Sequence, residues 1–179
     1  MYKRQVESRP SNSNYAGAIP MSEDKMTIIV FSGELDKALA AFNLANTGAS
    51  MGMEVTMFFT FWGLGVVKKG SLARGKKSFM QWMMNIMKRG GADHLKLSQM
   101  NMLGAGTGVM KSLMKKYRMP SVSESIALAK EQGVRFVVCT TSMTLMGLEE
   151  DDFIDDVDEF AGAATYLSLA SDGKVNLFI

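Results

Sequence analysis

The chain has 179 residues, 47% of them hydrophobic and 21% charged, with a formal net charge of +2, and this balance favours one globular domain over a disordered chain. Its single cysteine excludes an internal disulfide and a cysteine-cluster metal site, and it is compatible with a reducing compartment. The longest apolar run, residues 55–67, is too short for a membrane-spanning helix, which needs about 20 residues. We therefore expect no membrane contact, no metal and no cofactor.

The charges are unevenly distributed along the chain. Residues 61–120 contain 12 lysines and arginines but one acid, whereas residues 121–179 contain three lysines and arginines and 11 acids. Either the two regions form solvated faces that partly neutralise each other, or the basic region forms a positive rim that attracts an acidic partner or an anionic substrate. The basic residues are scattered and no recognised binding motif accompanies them, so we expect no nucleic-acid partner.

Residues 1–24 are polar, contain Pro10 and Pro20, and show no apolar period. This composition predicts a disordered or loosely ordered tail. No apolar stretch of signal-peptide length occurs there, so a cytoplasmic location is expected. The remaining residues, 25–179, are predicted to form a single domain.

The first ordered segments alternate between strand and helix. MTIIVF at 26–31 and MEVTMFFTF at 53–61 are apolar runs of the kind that parallel sheets bury on both faces. Between them, residues 36–50 place apolar side chains at spacings of three and four, which predicts a helix that ends at Gly52. Strand, helix and strand in this order predict a right-handed βαβ unit.

The middle of the chain is rich in methionine and in basic residues. Amphipathic helices are predicted at 76–88 and 107–118, with a loop of weak strand character at 94–102 between them. Nine of the 17 methionines lie between Met80 and Met119. They either fill an irregular core or form a pliable apolar cover over a site.

The alternation of helix and strand returns in the last third of the chain. Ser121 and Glu124 form a capping-box pattern, which predicts the start of a helix that ends at Gly133. The pattern then predicts a buried strand at 134–139, a short helix at 143–146 and an acidic surface segment at 149–159. A helix at 161–171 and a closing strand at 174–179 follow. The whole order predicts a three-layer α/β/α sandwich with a mainly parallel sheet of about five strands.

Cys139 ends the predicted strand in VRFVVCTTSMTLMG, residues 134–147. Ligands of open α/β sheets bind beyond the carboxyl ends of the parallel strands, so this sulfur is expected at the binding edge. Thr140, Thr141 and Ser142 follow with hydroxyl groups and with the N–H groups of a short helix, a setting that lowers a thiol pKa from about 8.5 to about 3.5–7.5. A thiolate there can attack sulfur or hold a persulfide. Alternatively, Cys139 is an inert, small hydrophobic residue of the core.

Other chemistries have weaker support in the sequence. His94 is the only histidine, and a Cys-His arrangement requires the fold to bring it beside Cys139. GAGTG at 104–108 resembles a dinucleotide-binding loop, but Val109 stands where that pattern needs its last glycine. We interpret it as the entry to a helix, whose amides can bind an anion.

Four segments in the same order resemble the DsrE-like family: residues 36–64, 96–111, 134–147 and 163–179. The similarity spans residues 25–179 and is to its DsrE/DsrF-like members of the subgroup labelled peroxiredoxin-like. It implies an α/β sandwich of the DsrE/DsrF type and a role in intracellular sulfur trafficking. Members with a strand-end cysteine are thought to bind or pass sulfane sulfur, and that cysteine corresponds to Cys139.

The resemblance also implies partners and further site residues. Rhodanese-type enzymes and small TusA-type carriers are partners of such proteins, and homo-oligomers are common among them. The motif positions near the cysteine are Ser142 and Met143, and the Phe61-Trp62-Gly63 turn ends the second strand. Some relatives carry a second cysteine, which this chain lacks, so an internal resolving disulfide is excluded.

The resulting hypothesis is an intracellular sulfur carrier or sulfurtransferase that holds sulfane sulfur as a persulfide on Cys139. The other groups expected to contact the substrate or its anion are Thr140, Thr141, Ser142, Met143, Gly33, Phe61, Trp62, Asn101 and Met102. One rival is a non-catalytic anion- or nucleotide-binding oligomeric module in which Gly33, Gly63 and the GAGTG loop line a pocket and the cysteine is inert. A second rival is an assembly protein whose methionine-rich helices pack between subunits.

Overall fold

The computed structural model describes residues 24–70, 90–100 and 102–179. Its strands are β1 (Lys25–Val30), β2 (Glu54–Phe59), β3 (Arg135–Cys139), β4 (Glu159–Ala161) and β5 (Gly173–Phe178). They form a five-stranded sheet in the order β4-β3-β2-β1-β5, and every pairing is parallel. Residues 1–23 of the predicted tail and the predicted helix 76–88 lie outside the described residues.

The described helices are α1 (Leu35–Ser50), α2 (Leu64–Val67), α3 (Ala105–Lys116), α4 (Val122–Glu131), α5 (Thr140–Leu145) and α6 (Ala163–Ser171). Helices α1 and α4 pack together over one face of the sheet. Helix α6 lies on the opposite face, where its Tyr166 contacts Thr27 of β1 and Phe58 of β2. The predicted three-layer α/β/α sandwich is therefore confirmed. Within the residues described, no helix is long and apolar enough to cross a membrane.

The larger core lies between the sheet and helices α1 and α4. Phe42 of α1 meets Phe136 of β3 edge to face, with ring centroids 5.9 Å apart, and Phe59 of β2 contacts both rings. All three side chains are fully buried, and burial of each contributes about 1.5–3 kcal/mol. This cluster holds the ends of β2 and β3 side by side.

The opposite face of the sheet carries a smaller cluster, formed by Phe58, Val137, Cys139, Ala161 and Tyr166. Tyr166 is the only buried residue of α6. Its hydroxyl lies 3.3 Å from the Thr27 hydroxyl, and its ring centroid is 5.1 Å from that of Phe58. Helix α6 is thus held over this face mainly through one side chain.

The boundaries of the predicted helices are close to those observed. The capping box is present, because the Ser121 N–H donates to the Glu124 carboxylate at 2.7 Å and the Glu124 N–H donates to the Ser121 hydroxyl at 3.2 Å. The helix predicted at 107–118 spans Ala105–Lys116. The short helix predicted at 143–146 begins earlier, at Thr140, so the helix starts directly after the cysteine.

Strand β4 was not predicted, since the acidic composition of residues 149–159 indicates exposed surface. The Glu159 carboxylate pairs with the Arg135 guanidinium of β3. The Asp158 carboxylate accepts hydrogen bonds from the Lys130 ammonium and from the Phe136 N–H, both at 2.7 Å. Lys130 and Arg135 therefore balance the charges of Asp158 and Glu159, and they approach these acids only in the folded chain. This compensation allows the acidic segment to pair as an edge strand.

The methionine-rich region does not act as a uniform core filler. Among its described methionines, Met114 is buried, whereas Met100, Met102, Met110 and Met119 are exposed. The core-filling explanation therefore holds for Met114 but not for these four neighbours.

Candidate functional site

Cys139 occupies the carboxyl end of β3 and is the N-cap residue of α5. The register pairs Phe59 with Val138 and Cys139 with Ala161, so the cysteine lies between the ends of β2 and β4. Its side chain packs on the α6 face of the sheet with Phe58 and Tyr166, and the residue is 5% exposed. The sequence thus correctly predicted the edge position, and the structure adds that the thiol is covered.

Donor groups of three residues favour the charged form of the Cys139 sulfur. Burial raises the pKa of the thiol, but the backbone N–H and hydroxyl of Ser142, the hydroxyl of Thr60 and the backbone N–H of Thr141 lower it. The net result is a pKa below the ordinary value of a cysteine thiol. Each of these donors favours the thiolate over the thiol, because an anion accepts stronger hydrogen bonds than a neutral sulfur.

The two hydroxyl groups are also bonded to each other. Thr60 Oγ1 lies 2.8 Å from Ser142 Oγ, and Ser142 is buried. The two hydroxyl groups have two hydrogens for three contacts, which are the contact with each other and the contact of each with the sulfur. When one hydroxyl donates to the other, the second hydroxyl therefore has its hydrogen free for the sulfur. This arrangement holds a hydroxyl hydrogen toward a negative sulfur.

Thr60 is the residue of this group that the sequence analysis missed. It follows β2 in the same way that Cys139 ends β3, and the pairing of Phe59 with Val138 brings the two positions side by side. A comparison of the two strand ends could have indicated it, but only with the correct register, which the sequence does not supply.

The loop after β2 is held tightly against the end of β1. A Cβ on Gly63 would overlap the carbonyl oxygen of Val30, and a Cβ on Gly33 would overlap that of Trp62. The Gly63 N–H donates to the Phe31 carbonyl at 2.8 Å. Both glycines are therefore required for close backbone packing, which positions Thr60 beside the cysteine.

Phe61 and Trp62 form an apolar surface next to Thr60. Phe61 has a φ of 46°, an uncommon backbone conformation for a bulky residue. Its ring centroid lies 5.2 Å from that of Phe31, which stacks on Phe178 at 5.5 Å. Phe61 is 41% and Phe178 67% exposed. Phe61 and Trp62, which the sequence predicted as site residues, thus lie at the same edge of the sheet as the thiol and are partly exposed to solvent.

The other predicted site residues are distributed differently. Thr140 is half-buried and Thr141 is exposed. Met143 packs against the larger core on the α1 and α4 side, and Met102 is 75% exposed with a φ of 41°. Asn101 lies outside the described residues. The structure therefore brings Thr141 and Ser142, but not the Met143 side chain, to the sulfur.

His94 does not join Cys139 in a shared site in the way that a Cys-His arrangement would require. His94 ends a 3-10 turn, Ala92–His94, and it is not among the groups that set the pKa of the Cys139 thiol. In the part of the chain that the structure describes, no group of three or more histidine, cysteine, aspartate or glutamate side chains is arranged to hold a metal ion.

Fold and site together define an α/β protein with a parallel sheet that carries a hydrogen-bonded cysteine at the carboxyl end of an interior strand. The sequence profile of the family described as DsrE/DsrF/DrsH-like matches residues 22–178. The chain therefore belongs to the DsrE/DsrF/DrsH-like family, and the predicted resemblance is confirmed.

Two relatives are similar over most of their length. The uncharacterized protein YrkE of Bacillus subtilis (strain 168) is 45% identical over 155 residues, which cover 87% of this chain and 96% of YrkE. The sulfur carrier protein DsrE2 of Allochromatium vinosum is 34% identical over 163 residues, which cover 89% of this chain and 100% of DsrE2.

Two solved structures also match. MTH1491 of Methanobacterium thermoautotrophicum, a protein of unknown function, gives a TM-score of 0.48 at 13% identity, and ychN of E. coli gives 0.49 at 10% identity. Each match covers 87% of this chain and 99% of the other.

Proposed function

We propose that this protein is a sulfur carrier that holds sulfane sulfur as a persulfide on Cys139. The family membership supports a sulfur-relay role, as does the relative DsrE2, which is a sulfur carrier protein. The observation that carries the proposal is the grouping of the Thr141 and Ser142 N–H groups and the bonded Thr60–Ser142 hydroxyl pair around the only sulfhydryl group of the chain.

The lowered thiol pKa increases the thiolate fraction at neutral pH. The thiolate, not the thiol, is the nucleophile in sulfur chemistry. In a low-dielectric site, donors that already point at the sulfur need little reorganisation when charge develops on it. The same donors therefore stabilise the negative charge of the thiolate before transfer and that of the persulfide after it.

The proposed transfer needs no external oxidant. The Cys139 thiolate attacks the outer sulfur of a persulfide R–S–SH, an S–S bond forms to Cys139, and the bond between the outer sulfur and R–S breaks. The electron pair leaves with the thiolate R–S⁻, and the proton stays on the transferred sulfur or on its acceptor. With thiosulfate as donor, the leaving group is sulfite. Attack by an acceptor thiolate on the Cys139 persulfide reverses the sequence and regenerates the carrier.

Burial of the sulfur has a functional consequence in this proposal. Because Cys139 is 5% exposed, small thiols in solution reach a bound persulfide slowly. A donor or acceptor must displace some of the covering side chains, and α6 has only one buried side chain to lose from its packing. Local opening of a weakly packed element costs less free energy than global unfolding.

The direct test is intact-mass measurement after incubation with thiosulfate or polysulfide. Wild type is expected to gain one sulfur atom and to lose it on reduction with dithiothreitol, whereas Cys139→Ser gains none. A wild-type mass that stays unchanged with both donors, or an equal gain in Cys139→Ser, would contradict the proposal. Ser142→Ala is expected to load more slowly than wild type, because it removes the hydroxyl but keeps the backbone donor.

The proposal includes partners and an assembly state. The exposed Phe61, Trp62 and Phe178 at the carboxyl edge of the sheet are suited to contact a donor or acceptor protein, for which rhodanese-type and TusA-type proteins are the expected classes. A persulfide-loaded sample mixed with a TusA-type carrier should transfer its sulfur, detected as a mass gain of the carrier. Light scattering tests the expected homo-oligomer, and cell fractionation tests the expected cytoplasmic location.

The deep burial of Cys139 favours a second candidate, a non-catalytic anion- or nucleotide-binding module with an inert cysteine. Thermal stability measured with nucleotides and phosphates separates the two candidates. Stabilisation that persists in Cys139→Ala, together with no sulfur gain on wild type, would support the module and exclude the carrier.

A further inference from the structure

A cavity of about 650 Å³ lies between the end of α3, the start of α4 and the turn Ala92–His94. Leu35, which begins α1 directly after β1, forms part of its wall. The cavity therefore opens at the carboxyl edge of the sheet, where open α/β folds bind ligands. Its lining shares no residue with the hydrogen-bond partners of the Cys139 sulfur, so it is a separate site.

The inner wall of the cavity is apolar. Leu35, Met114 and Val122 line it, and all three side chains are buried in the folded chain. An apolar wall with a few polar groups at its rim is the usual composition of a small-molecule site, and the volume falls within the usual range of about 300–1,000 Å³. The wall can therefore take the apolar part of a ligand.

The rim of the cavity carries an excess of positive charge. Lys111, Lys115 and Arg118 line it, against two acids, Asp93 and Glu124. The Lys111 ammonium donates to the Asp93 backbone carbonyl at 2.5 Å. Among the residues that the structure describes, Lys115 and Arg118 have no carboxylate within ion-pair distance. Two cations are thus available to an anionic ligand.

The two acids at the rim already have donors. Asp93 Oδ1 accepts a hydrogen bond from the Ser123 hydroxyl at 2.8 Å. Glu124 Oε2 accepts from the Ser121 N–H at 2.7 Å and from its hydroxyl at 2.9 Å. These contacts hold one oxygen of each carboxylate within the protein, so the acids do not occupy Lys115 or Arg118.

Arg118 supplies an independent indication of function. It has a φ of 53° and lies just beyond the end of α3, where the Met119 N–H donates to the Met114 carbonyl at 2.9 Å and the Arg118 N–H to the Lys115 carbonyl at 3.2 Å. This is the Schellman pattern, whose left-handed position is usually glycine. An arginine at such a position is less favourable for the backbone, and strained residues of this kind concentrate at ligand sites.

We propose that this cavity binds a small organic anion, with the anionic group between Lys115 and Arg118 and an apolar body against Leu35, Met114 and Val122. Arg118 contributes a planar set of donors that suits carboxylate, sulfonate or phosphate oxygens. The site lies on the α1 and α4 side of the sheet, so it is independent of persulfide formation on Cys139.

The test uses the fluorescent aromatic sulfonate anilinonaphthalene sulfonate as the probe, on the full chain at low ionic strength. Wild type is expected to bind it saturably. Lys115→Ala and Arg118→Gly should each weaken binding about tenfold, the loss expected for one charge-assisted hydrogen bond. Lys116→Ala is the matched control, because Lys116 is the next residue of α3 and does not line the cavity; its affinity should be unchanged.

Arg118→Gly also separates a ligand role from a structural one. Glycine suits the positive φ, so this variant should melt at a higher temperature than wild type while binding the probe less tightly. Octanoate should compete with the probe at concentrations at which acetate and inorganic phosphate do not, since they lack the apolar body. Equal probe affinity in wild type, Lys115→Ala and Arg118→Gly, or equal competition by phosphate, would overturn the proposal. Unchanged binding in Cys139→Ser is expected whether or not the cysteine carries sulfur.

Discussion

The hydroxyl of Thr60 is predicted to set how reactive Cys139 is at neutral pH. Thr60→Val removes this hydroxyl but keeps the branched shape of the side chain. A hydrogen bond to a charged group contributes about 1.5–3 kcal/mol, and each 1.4 kcal/mol is a factor of ten in an equilibrium constant. Because the two amides and the Ser142 hydroxyl remain, we take the lower end of this range. Because Ser142 no longer has Thr60 as a hydrogen-bond partner and can turn its hydroxyl to the sulfur, the thiolate fraction below the pKa should fall by less than tenfold, about threefold.

The assay is the rate of alkylation of Cys139 by iodoacetamide as a function of pH. The chain has one cysteine, so the whole signal comes from the site. The pH–rate curve of Thr60→Val should move to higher pH than that of wild type, because the thiolate has lost a donor, while the rate at high pH stays similar. Thr56→Val is the matched control, since Thr56 lies on the same strand, four positions earlier, and does not contact the sulfur.

The opposite result would refute the reasoning. If the pH–rate curves of Thr60→Val and wild type superimpose, the hydroxyl does not stabilise the thiolate, and the lowered pKa must come from the backbone donors alone. An equal shift in Thr56→Val would show a general effect on strand β2. Circular dichroism of each variant shows whether the fold is retained.

Three further predictions concern stability and access to the sulfur. The stability of wild type relative to Cys139→Ser should rise with pH through the interval that ends near the ordinary thiol pKa of about 8.5, since the folded chain loses the proton before the unfolded chain does. Chemical denaturation at several pH values that gave a flat or falling difference would contradict this. Gly63→Ala should destabilise the fold by more than about 2 kcal/mol, because its Cβ would overlap the Val30 carbonyl. Gly65→Ala is the control, since its Cβ would meet open space, and its stability in thermal unfolding should stay within about 1 kcal/mol of wild type. Cys139 should be alkylated several-fold faster in Tyr166→Ala than in wild type, because α6 loses its one buried side chain. Tyr166→Phe keeps the ring, so its alkylation rate should stay close to that of wild type. Equal rates for all three proteins would show that α6 does not cover the sulfur.

Much of the fold was predictable because it follows from local patterns. The apolar runs at 26–31 and 53–61 cannot face water on either side, and they became the adjacent interior strands β1 and β2. The Ser121 and Glu124 capping box depends on residues three positions apart, so the start of α4 needs no tertiary information. The short strand β4 was missed because its acids are neutralised by Lys130 and Arg135, which approach only in the folded chain.

The candidate site was predictable in part for the same reason. Cys139, Thr141 and Ser142 are neighbours in sequence, and the end of a strand followed by a helix brings their N–H groups to the sulfur. Thr60 is 79 positions away from Cys139 in the sequence, and its contribution depends on the register of β2 against β3. Met143 was expected to contact the substrate or its anion, but its position on the short helix directs it toward the larger core.

The amino-acid sequence by itself determined the alternation of strands and helices, the parallel sheet and the position of one cysteine at its carboxyl edge, because each depends on spacing along the chain. Only the tertiary structure decided the strand order, the burial of the thiol beneath Tyr166, the hydroxyl of Thr60 and the basic cavity at the end of α3. These features arise from contacts between segments far apart in the chain, and local pattern does not specify how such segments are placed against each other.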